Sequence, residues 1–187
     1  MNNIAQFQKT AILKISLSAM FIAIGMVLPF LTGQIQQIGN MLLPMHLPVF
    51  LCGMICGWAY GGTVGLVLPI LRSVCFGMPV LFPNAVSMAF ELAVYGLVTG
   101  VIYGIQKKQT IISVYIALIP AMLMGRIVWG MSQLVILGFT EKSFTWGMFA
   151  TGAFLSAIPG IVLQLVLIPA IMTTLHLTGV LRFKNVF

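Results

Sequence analysis

The sequence predicts an all-α integral membrane protein with six transmembrane helices and both termini in the cytoplasm. Of its 187 residues, 60% are apolar and only 6% are charged, whereas charged residues make up about 25% of an average soluble domain. So few polar side chains cannot cover a soluble fold, and lipid must therefore contact most of the surface. The apolar residues also come in long runs separated by short polar segments.

The length of each apolar run places the helices, because a spanning helix needs about 20 apolar residues. We predict one membrane domain, residues 1–187, with helices at 10–31, 44–57, 63–76, 84–106, 110–137 and 147–175. The second and third helices are short. Residues 58–62 between them include Trp58, Tyr60 and two glycines, which is typical of a tight turn at the membrane interface. These two segments could also form a broken hairpin that does not cross the bilayer.

The basic residues predict the orientation of the chain. With the N-terminus inside, Lys142 alone faces outward, and the residues that face the cytoplasm are Lys9, Lys14, Lys107, Lys108, Arg182 and Lys184. This asymmetry follows the positive-inside rule. Because the positive charges are scattered at helix ends, the net charge of +7 indicates orientation in a membrane and no nucleic-acid partner.

Catalytic and metal-binding chemistry has little support in the sequence. It contains no aspartate, no Walker loop, no Gly-x-Ser-x-Gly elbow and no His-Glu-x-x-His motif, so we expect neither an enzyme nor a cofactor. Cys52, Cys56 and Cys75 lack the neighbouring ligands that a metal site requires. We interpret them as small apolar side chains.

Among the ionisable residues within the predicted helices, Arg72, Glu91 and Arg126 stand out. A charged side chain at the centre of a bilayer helix costs about 2.5–3.5 kcal/mol on insertion scales, so each of them needs a structural or functional reason. Counting about 1.5 Å per residue from the helix ends places all three in the outer half of the membrane. Glu91 and Arg126 could form a purely structural pair, and Arg72 could extend to the outer headgroups.

Two stripes of polar and aromatic residues surround these charges at helical spacing. They are Asn84, Ser87, Glu91 and Tyr95 on helix four, and Met122, Arg126, Trp129 and Gln133 on helix five. At matched depth they predict an outward-facing ligand pocket, in which Arg126 would hold an anionic or carbonyl group and Trp129 would stack on a planar ring. His46 and Asn40, in or beside the polar loop after helix one, are further candidates for ligand contact. Arg72 is another, because it leaves the region with a net positive charge.

Small residues form a stripe on helix one. Ser16, Ala19 and Ala23 lie on one face of its cytoplasmic half, and the Ala19-x-x-x-Ala23 spacing lets another helix approach closely. The simplest partner for this face is a neighbouring helix of the same chain.

Four stretches of the sequence resemble one known family. They are Leu17–Ala23, Met45–Phe50 with Cys52 and Gly53, Gly57–Gly61, and Gly65–Arg72. The first is similar to the alanine motif on the first helix of S components, the substrate-binding subunits of energy-coupling factor (ECF) transporters. The others resemble the second and third helices of that family. The similarity covers about residues 10–104, and the six-helix layout extends it to the rest of the chain.

The resemblance implies a high-affinity binding subunit for a vitamin or vitamin precursor in the bacterial cytoplasmic (inner) membrane. In that family a scaffold subunit and two ATPase subunits supply the energy, and the alanine motif contacts the scaffold. Ser16, Ala19 and Ala23 would then be the scaffold interface. Pro44–Pro48, Arg72 and Phe82-Pro83 resemble members that carry thiamine precursors such as a hydroxyethyl-thiazole, and His46-Leu47-Pro48 also resembles members that carry pantothenate.

Other functions remain open on the residues alone. A stand-alone secondary carrier for a small metabolite could use Glu91 as its ion-coupling carboxylate, although no inverted repeat is visible. A membrane enzyme would need a reactive cluster beyond Glu91 and Arg126. A structural subunit without a ligand would keep those two residues only as a buried pair.

Overall fold

A computed structural model describes residues 2–32, 41–107, 109–138 and 157–178. Its helices are α1 (Asn2–Val27), α2 (His46–Cys56), α3 (Trp58–Phe76), α4 (Val86–Ile105), α5 (Ile111–Gly138) and α6 (Ile158–Leu177). A 3-10 turn at Leu28–Thr32 extends α1, and a π-helical turn at Leu81–Ala85 leads into α4. No β-strand occurs in the described ranges, and the all-α prediction is confirmed there.

Within the described ranges, five segments are long and apolar enough to cross a membrane. They are Thr10–Leu31, Trp58–Phe76, Leu81–Ile105, Ile111–Gly138 and Ile158–Leu177. Helix α2 has only 11 residues. At about 1.5 Å per residue it is roughly half as long as the hydrocarbon core is thick, so a sixth crossing would depend on this short helix.

The predicted bounds of the later helices agree closely with the structure. Helices four and five were placed at 84–106 and 110–137, and α4 and α5 end within two residues of these bounds. Helix α6 ends at Leu177, two residues beyond the predicted end. The predicted start of helix six at residue 147 lies outside the described residues, as do Asn40 and Lys142.

The interpretation of residues 58–62 as an interfacial turn is wrong. Helix α3 begins at Trp58, so Tyr60 and Gly61 lie in its first turn. The turn between α2 and α3 is Gly57 alone, whose φ of 100° and ψ of 170° belong to a region that is essentially restricted to glycine. Gly61 is needed instead for a close helix contact.

Side-chain contacts show that α1 and α3 run in the same direction. The Lys14 ammonium lies 5.9 Å from the centre of the Tyr60 ring in the N-terminal halves of the two helices. Near their C-terminal ends, the Arg72 guanidinium donates a hydrogen bond to the Met26 carbonyl. Helix α2 therefore carries the chain back between them.

Glycines let α2, α3 and α4 approach one another closely. A Cβ added to Gly61 would lie 2.5 Å from the Cα of Gly53, and a Cβ added to Gly96 would lie 2.9 Å from the Cα of Gly61. These three glycines come from three different helices and meet where no side chain fits. Small residues at helix contacts are typical of membrane bundles, because they allow backbones to pack directly. The result is a tight three-helix core, against which α5 packs.

Candidate functional site

Glu91 on α4 is the centre of a buried polar cluster. Its Oε1 atom lies 3.1 Å from Nη1 of Arg126 on α5 and accepts a 2.7 Å hydrogen bond from the Tyr95 hydroxyl. Nε2 of His46 on α2 lies 3.7 Å from the same oxygen. None of these four residues is more than 5% exposed. The structure thus brings Glu91 and Tyr95 of the predicted helix-four stripe together with Arg126 of the helix-five stripe and with His46, another predicted site residue.

The positions of these side chains follow from the helices that carry them. Glu91 and Tyr95 are four residues apart on α4, so they project from one face and can bond along the helix. The Tyr95 ring packs against Phe50 of α2, with ring centres 4.8 Å apart. The opposite side of the Tyr95 ring packs directly against Gly125 of α5. A Cβ added to Gly125 would lie 2.8 Å from the ring carbon Cζ, so the ring occupies space that a larger residue would fill. Three helices therefore fix the Tyr95 ring beside Arg126.

Charge neutralisation explains how the cluster is tolerated inside the protein. A buried membrane charge is costly unless it is paired, and Glu91 and Arg126 pair directly. Neither imidazole nitrogen of His46 has a hydrogen-bond partner within the described residues, although the ring lies near the carboxylate. Two basic side chains thus stand around one acidic side chain in this part of the chain.

A cavity of about 240 Å³ opens between α5 and α6 beside the ion pair. It is lined by Tyr95, Ile119, Met122, Leu123, Arg126, Ile161, Gln164 and Leu165. Arg126 and Gln164 are its main polar contributors, and most of the other lining residues are aliphatic. Glu91 is not among the lining residues that the structure describes, whereas its partners Arg126 and Tyr95 are. A concave, mostly apolar space with few polar groups is typical of a small-molecule site.

The sequence analysis missed Gln164. Gln164 lies on α6 and is only 2% exposed. Its Nε2 atom donates a 3.4 Å hydrogen bond to the Leu43 carbonyl. The same carbonyl accepts the His46 backbone N–H at 3.1 Å. Gln164 therefore links the cavity wall to the start of α2. The signal that could have revealed it was a lone amide in the otherwise apolar run of helix six, because polar groups inside a membrane need a partner.

Several predicted ligand residues lie away from the cavity. Ser87 is fully buried, but its hydroxyl donates to the Pro83 carbonyl of the preceding turn at 3.0 Å. Asn84 is half-buried within the π-helical turn. Trp129 is half-buried on α5, and Gln133 is buried with no hydrogen-bond partner for its Oε1 among the described residues. Neither of these α5 residues belongs to the described cavity lining.

Arg72 belongs to a separate cluster at the end of α3. Besides its bond to Met26, its guanidinium lies 5.2 Å from the Phe30 ring centre and 5.3 Å from the Phe76 ring centre. The two rings also pack edge to face at 5.0 Å. Arg72 is only 3% exposed, so its charge is held by a carbonyl and two aromatic rings rather than extended to the headgroups.

The small stripe of α1 is left uncovered by the part of the chain that the structure describes. Ser16, Ala19 and Ala23 are all exposed, while Ser18, Phe21 and Gly25 on the opposite side are buried. The interpretation of the stripe as a packing contact with a neighbouring helix of the same chain is therefore wrong for the described residues. Only 17% of the most apolar window of this span is buried, so most of α1 faces away from the bundle.

Comparison with known proteins places the chain in a family. The family model of the substrate-specific component of ECF transporters matches residues 13–174, which include every residue that lines the cavity. No curated protein and no solved structure matches the chain. Proteins of this family are transporter subunits rather than enzymes, and the five apolar spans agree with a multi-pass membrane protein. The chain belongs to the substrate-specific components of ECF transporters.

Proposed function

We propose that the chain binds a vitamin or vitamin precursor for an ECF-type importer of the bacterial cytoplasmic membrane, and works with a scaffold subunit and two ATPase subunits. The observation that carries this proposal is the buried Arg126 guanidinium on the wall of an apolar cavity. Family membership makes the chain a substrate-specific subunit, and this cavity offers a small molecule both a charged anchor and apolar walls.

The residues around the cavity would have two roles. Arg126 and Gln164 line the cavity and would contact the ligand directly. Glu91 and His46 lie behind Arg126 and would hold its guanidinium in position. Tyr95 would do both, since it lines the cavity and also donates to Glu91.

The exposed face of α1 would be the surface for the scaffold subunit. Its small residues Ser16, Ala19 and Ala23 are uncovered and flanked by large apolar side chains such as Ile12 and Ile15. A partner helix could approach the backbone closely along such a stripe. This surface and the cavity are formed by different helices, so the two functions can be tested separately.

We also propose six crossings with both termini in the cytoplasm. The parallel arrangement of α1 and α3 supports this topology, because α2 must return the chain between them. Close contacts of Gly65 with Leu92 and of Gly61 with Gly96 show that α3 and α4 run in opposite directions. The basic residues predict which side is cytoplasmic.

Native mass spectrometry of the purified chain tests the proposal. We expect one small molecule per chain, carried over from the expression host or acquired from a panel of vitamins and precursors. An empty chain that binds no member of the panel would contradict the proposal. Uptake by cells that lack every ATPase partner distinguishes an ECF subunit from a stand-alone secondary carrier, since the carrier would still transport its substrate in those cells.

A further inference from the structure

We infer that the ligand is a small aliphatic carboxylate, with an anionic head group for Arg126 and a non-aromatic body for the walls of α5 and α6. This inference rests on the proposed function and narrows its substrate to one chemical class. It follows from three properties of the cavity: which charge faces it, which side chains form its walls, and how large it is.

Only the positive member of the ion pair faces the cavity. Arg126 belongs to the described lining, whereas Glu91 does not. A guanidinium has five N–H donors in a planar fork, and the contact with Glu91 involves its Nη1 atom. The fork can therefore bind a second carboxylate, and Arg–carboxylate pairs are among the strongest hydrogen-bonded contacts in proteins. No described lining residue is acidic, so an anionic head group meets no repulsion there.

The groups around Glu91 supply hydrogen-bond donors rather than further negative charge. They are Arg126 from α5, His46 from α2 and the Tyr95 hydroxyl from its own helix. Glu91 is the single carboxylate of this cluster in the part of the chain that the structure describes, and it contacts Nη1 of Arg126. The other N–H groups of the guanidinium are the donors for a ligand head group.

The described walls of the cavity favour an aliphatic body over a planar ring. Five of the eight described lining residues are aliphatic or thioether side chains, namely Ile119, Met122, Leu123, Ile161 and Leu165. Tyr95 is the single aromatic residue in the described lining, and it is 1% exposed because Phe50 and the backbone at Gly125 cover its ring. Trp129, from which the sequence predicted stacking, is not in that lining. The described walls therefore contact a ligand mainly through aliphatic side chains.

The volume of the described cavity suits a compact ligand. At about 240 Å³ it is close to the lower end of the range typical of small-molecule pockets, about 300–1,000 Å³.

Matched pairs of acids and neutral analogues test the inference on the full chain in lipid nanodiscs. The acids are pantothenate, biotin and lipoate, and their neutral counterparts are panthenol, biotinamide and lipoamide. Hydroxyethyl-methylthiazole, pyridoxine and riboflavin are the ring compounds without a carboxylate. We expect one acid to bind at least about tenfold more tightly than its own neutral counterpart in titration calorimetry, a difference of about 1.4 kcal/mol.

Variants connect that selectivity to the ion pair. Arg126→Gln alone leaves the buried Glu91 carboxylate without its cationic partner and can unfold the chain. The double variant Glu91→Gln/Arg126→Gln removes both charges and keeps the side chains similar in size. We expect its acid-to-neutral affinity ratio to fall to about 1, while Val135→Gln, at an exposed position of α5, leaves the ratio unchanged. We compare the acid-to-neutral affinity ratio because partial unfolding of a variant lowers its affinities for the acid and for the neutral analogue alike.

The outcomes separate the two levels of the proposal. Preferential binding of an acid that is lost in the double variant supports the substrate class. Tight binding of a ring compound without a carboxylate, or an unchanged ratio in the double variant, overturns the class and leaves the binding function intact. A chain that binds none of the nine compounds and carries no retained ligand overturns the proposed function, and the inference with it.

Discussion

The carboxylate of Glu91 and the guanidinium of Arg126 meet at 3.1 Å across the contact between α4 and α5. The carboxylate faces the interior of the helix bundle, and the guanidinium also reaches the cavity. One ion pair can therefore hold two helices together and present a charged group to a ligand. A structural role in joining α4 to α5 and a role in contacting a ligand are therefore physically compatible.

Breaking this pair should reveal strong coupling between its members. Arg126→Gln and Glu91→Gln each leave one buried charge without its partner, so we expect each to lower the free energy of unfolding by about 3–5 kcal/mol. The double variant leaves no unpaired charge and should lose clearly less than the sum of the two single losses. Thermal unfolding of the purified variants in detergent measures this cycle. Additive losses would mean that the two side chains do not interact in the folded protein.

The glycine contact among α2, α3 and α4 should be intolerant of a methyl group. Gly96→Ala would place a Cβ 2.9 Å from the Cα of Gly61, so the helices would have to separate. We expect the free energy of unfolding to fall by about 1–3 kcal/mol. Gly104→Ala on the same helix is the matched control, because no atom lies within 4 Å of its added Cβ. It should be neutral or slightly stabilising, since alanine favours helix. Equal melting temperatures for the two variants would contradict the close approach.

The sequence predicted the helices better than it predicted the packing between them. Hydrophobic length is a local property, so the bounds of α4 and α5 followed from counting apolar residues. The start of α3 could not be predicted in this way, because the glycine-rich composition of residues 58–62 is locally typical of a turn. Only the neighbouring helices explain why Gly61 remains helical, since its missing side chain admits the backbone of Gly53.

Similar limits apply to the candidate site. Depth and helical spacing predicted that Glu91 and Arg126 lie at matching levels of two helices, and the structure shows the two side chains in contact. Rotation about the helix axis is set by packing, and it directs Trp129 away from the described cavity lining. Gln164 was missed for a related reason: whether one amide in an apolar run faces lipid, another helix or a cavity depends on contacts that are distant in sequence.

Substitution on the exposed face of α1 should separate ligand binding from complex assembly. Ala19→Trp adds a bulky ring to an uncovered stripe, far from the cavity residues, so we expect normal ligand affinity but no association with a scaffold subunit. Ala170→Trp is the matched control, because Ala170 is an exposed alanine on α6. Co-purification with the scaffold subunit measures assembly, and titration measures binding. Loss of ligand binding by Ala19→Trp alone would refute the assigned roles.

Arg72 should matter more for stability than for ligand affinity. Arg72→Gln removes the cation that lies over the rings of Phe30 and Phe76 and donates a hydrogen bond to the Met26 carbonyl. We expect a loss of about 1–3 kcal/mol in unfolding free energy, because a buried carbonyl loses a charged donor. The dissociation constant of the ligand should change less than in the Glu91→Gln/Arg126→Gln variant. A larger effect on affinity than in that variant would place Arg72 in the ligand site.

Gly125 should prove necessary for the position of the Tyr95 ring. In Gly125→Ala the new methyl would lie 2.8 Å from the ring carbon Cζ of Tyr95, so the ring must move and its 2.7 Å bond to Glu91 is lost. We expect ligand affinity to fall on the order of tenfold, as for loss of a hydrogen bond to a charged group. Gly138→Ala, whose added Cβ meets nothing within 4 Å, should bind normally.

The double variant Gly125→Ala/Tyr95→Leu tests the role of the Tyr95 hydroxyl. It removes the clash between the added methyl and the Tyr95 ring, but it also lacks the hydroxyl. We therefore expect the stability of the protein to recover while its affinity for the ligand stays low. Recovery of both would show that the hydroxyl bond to Glu91 is not needed, and that Tyr95 acts at this site only by filling space.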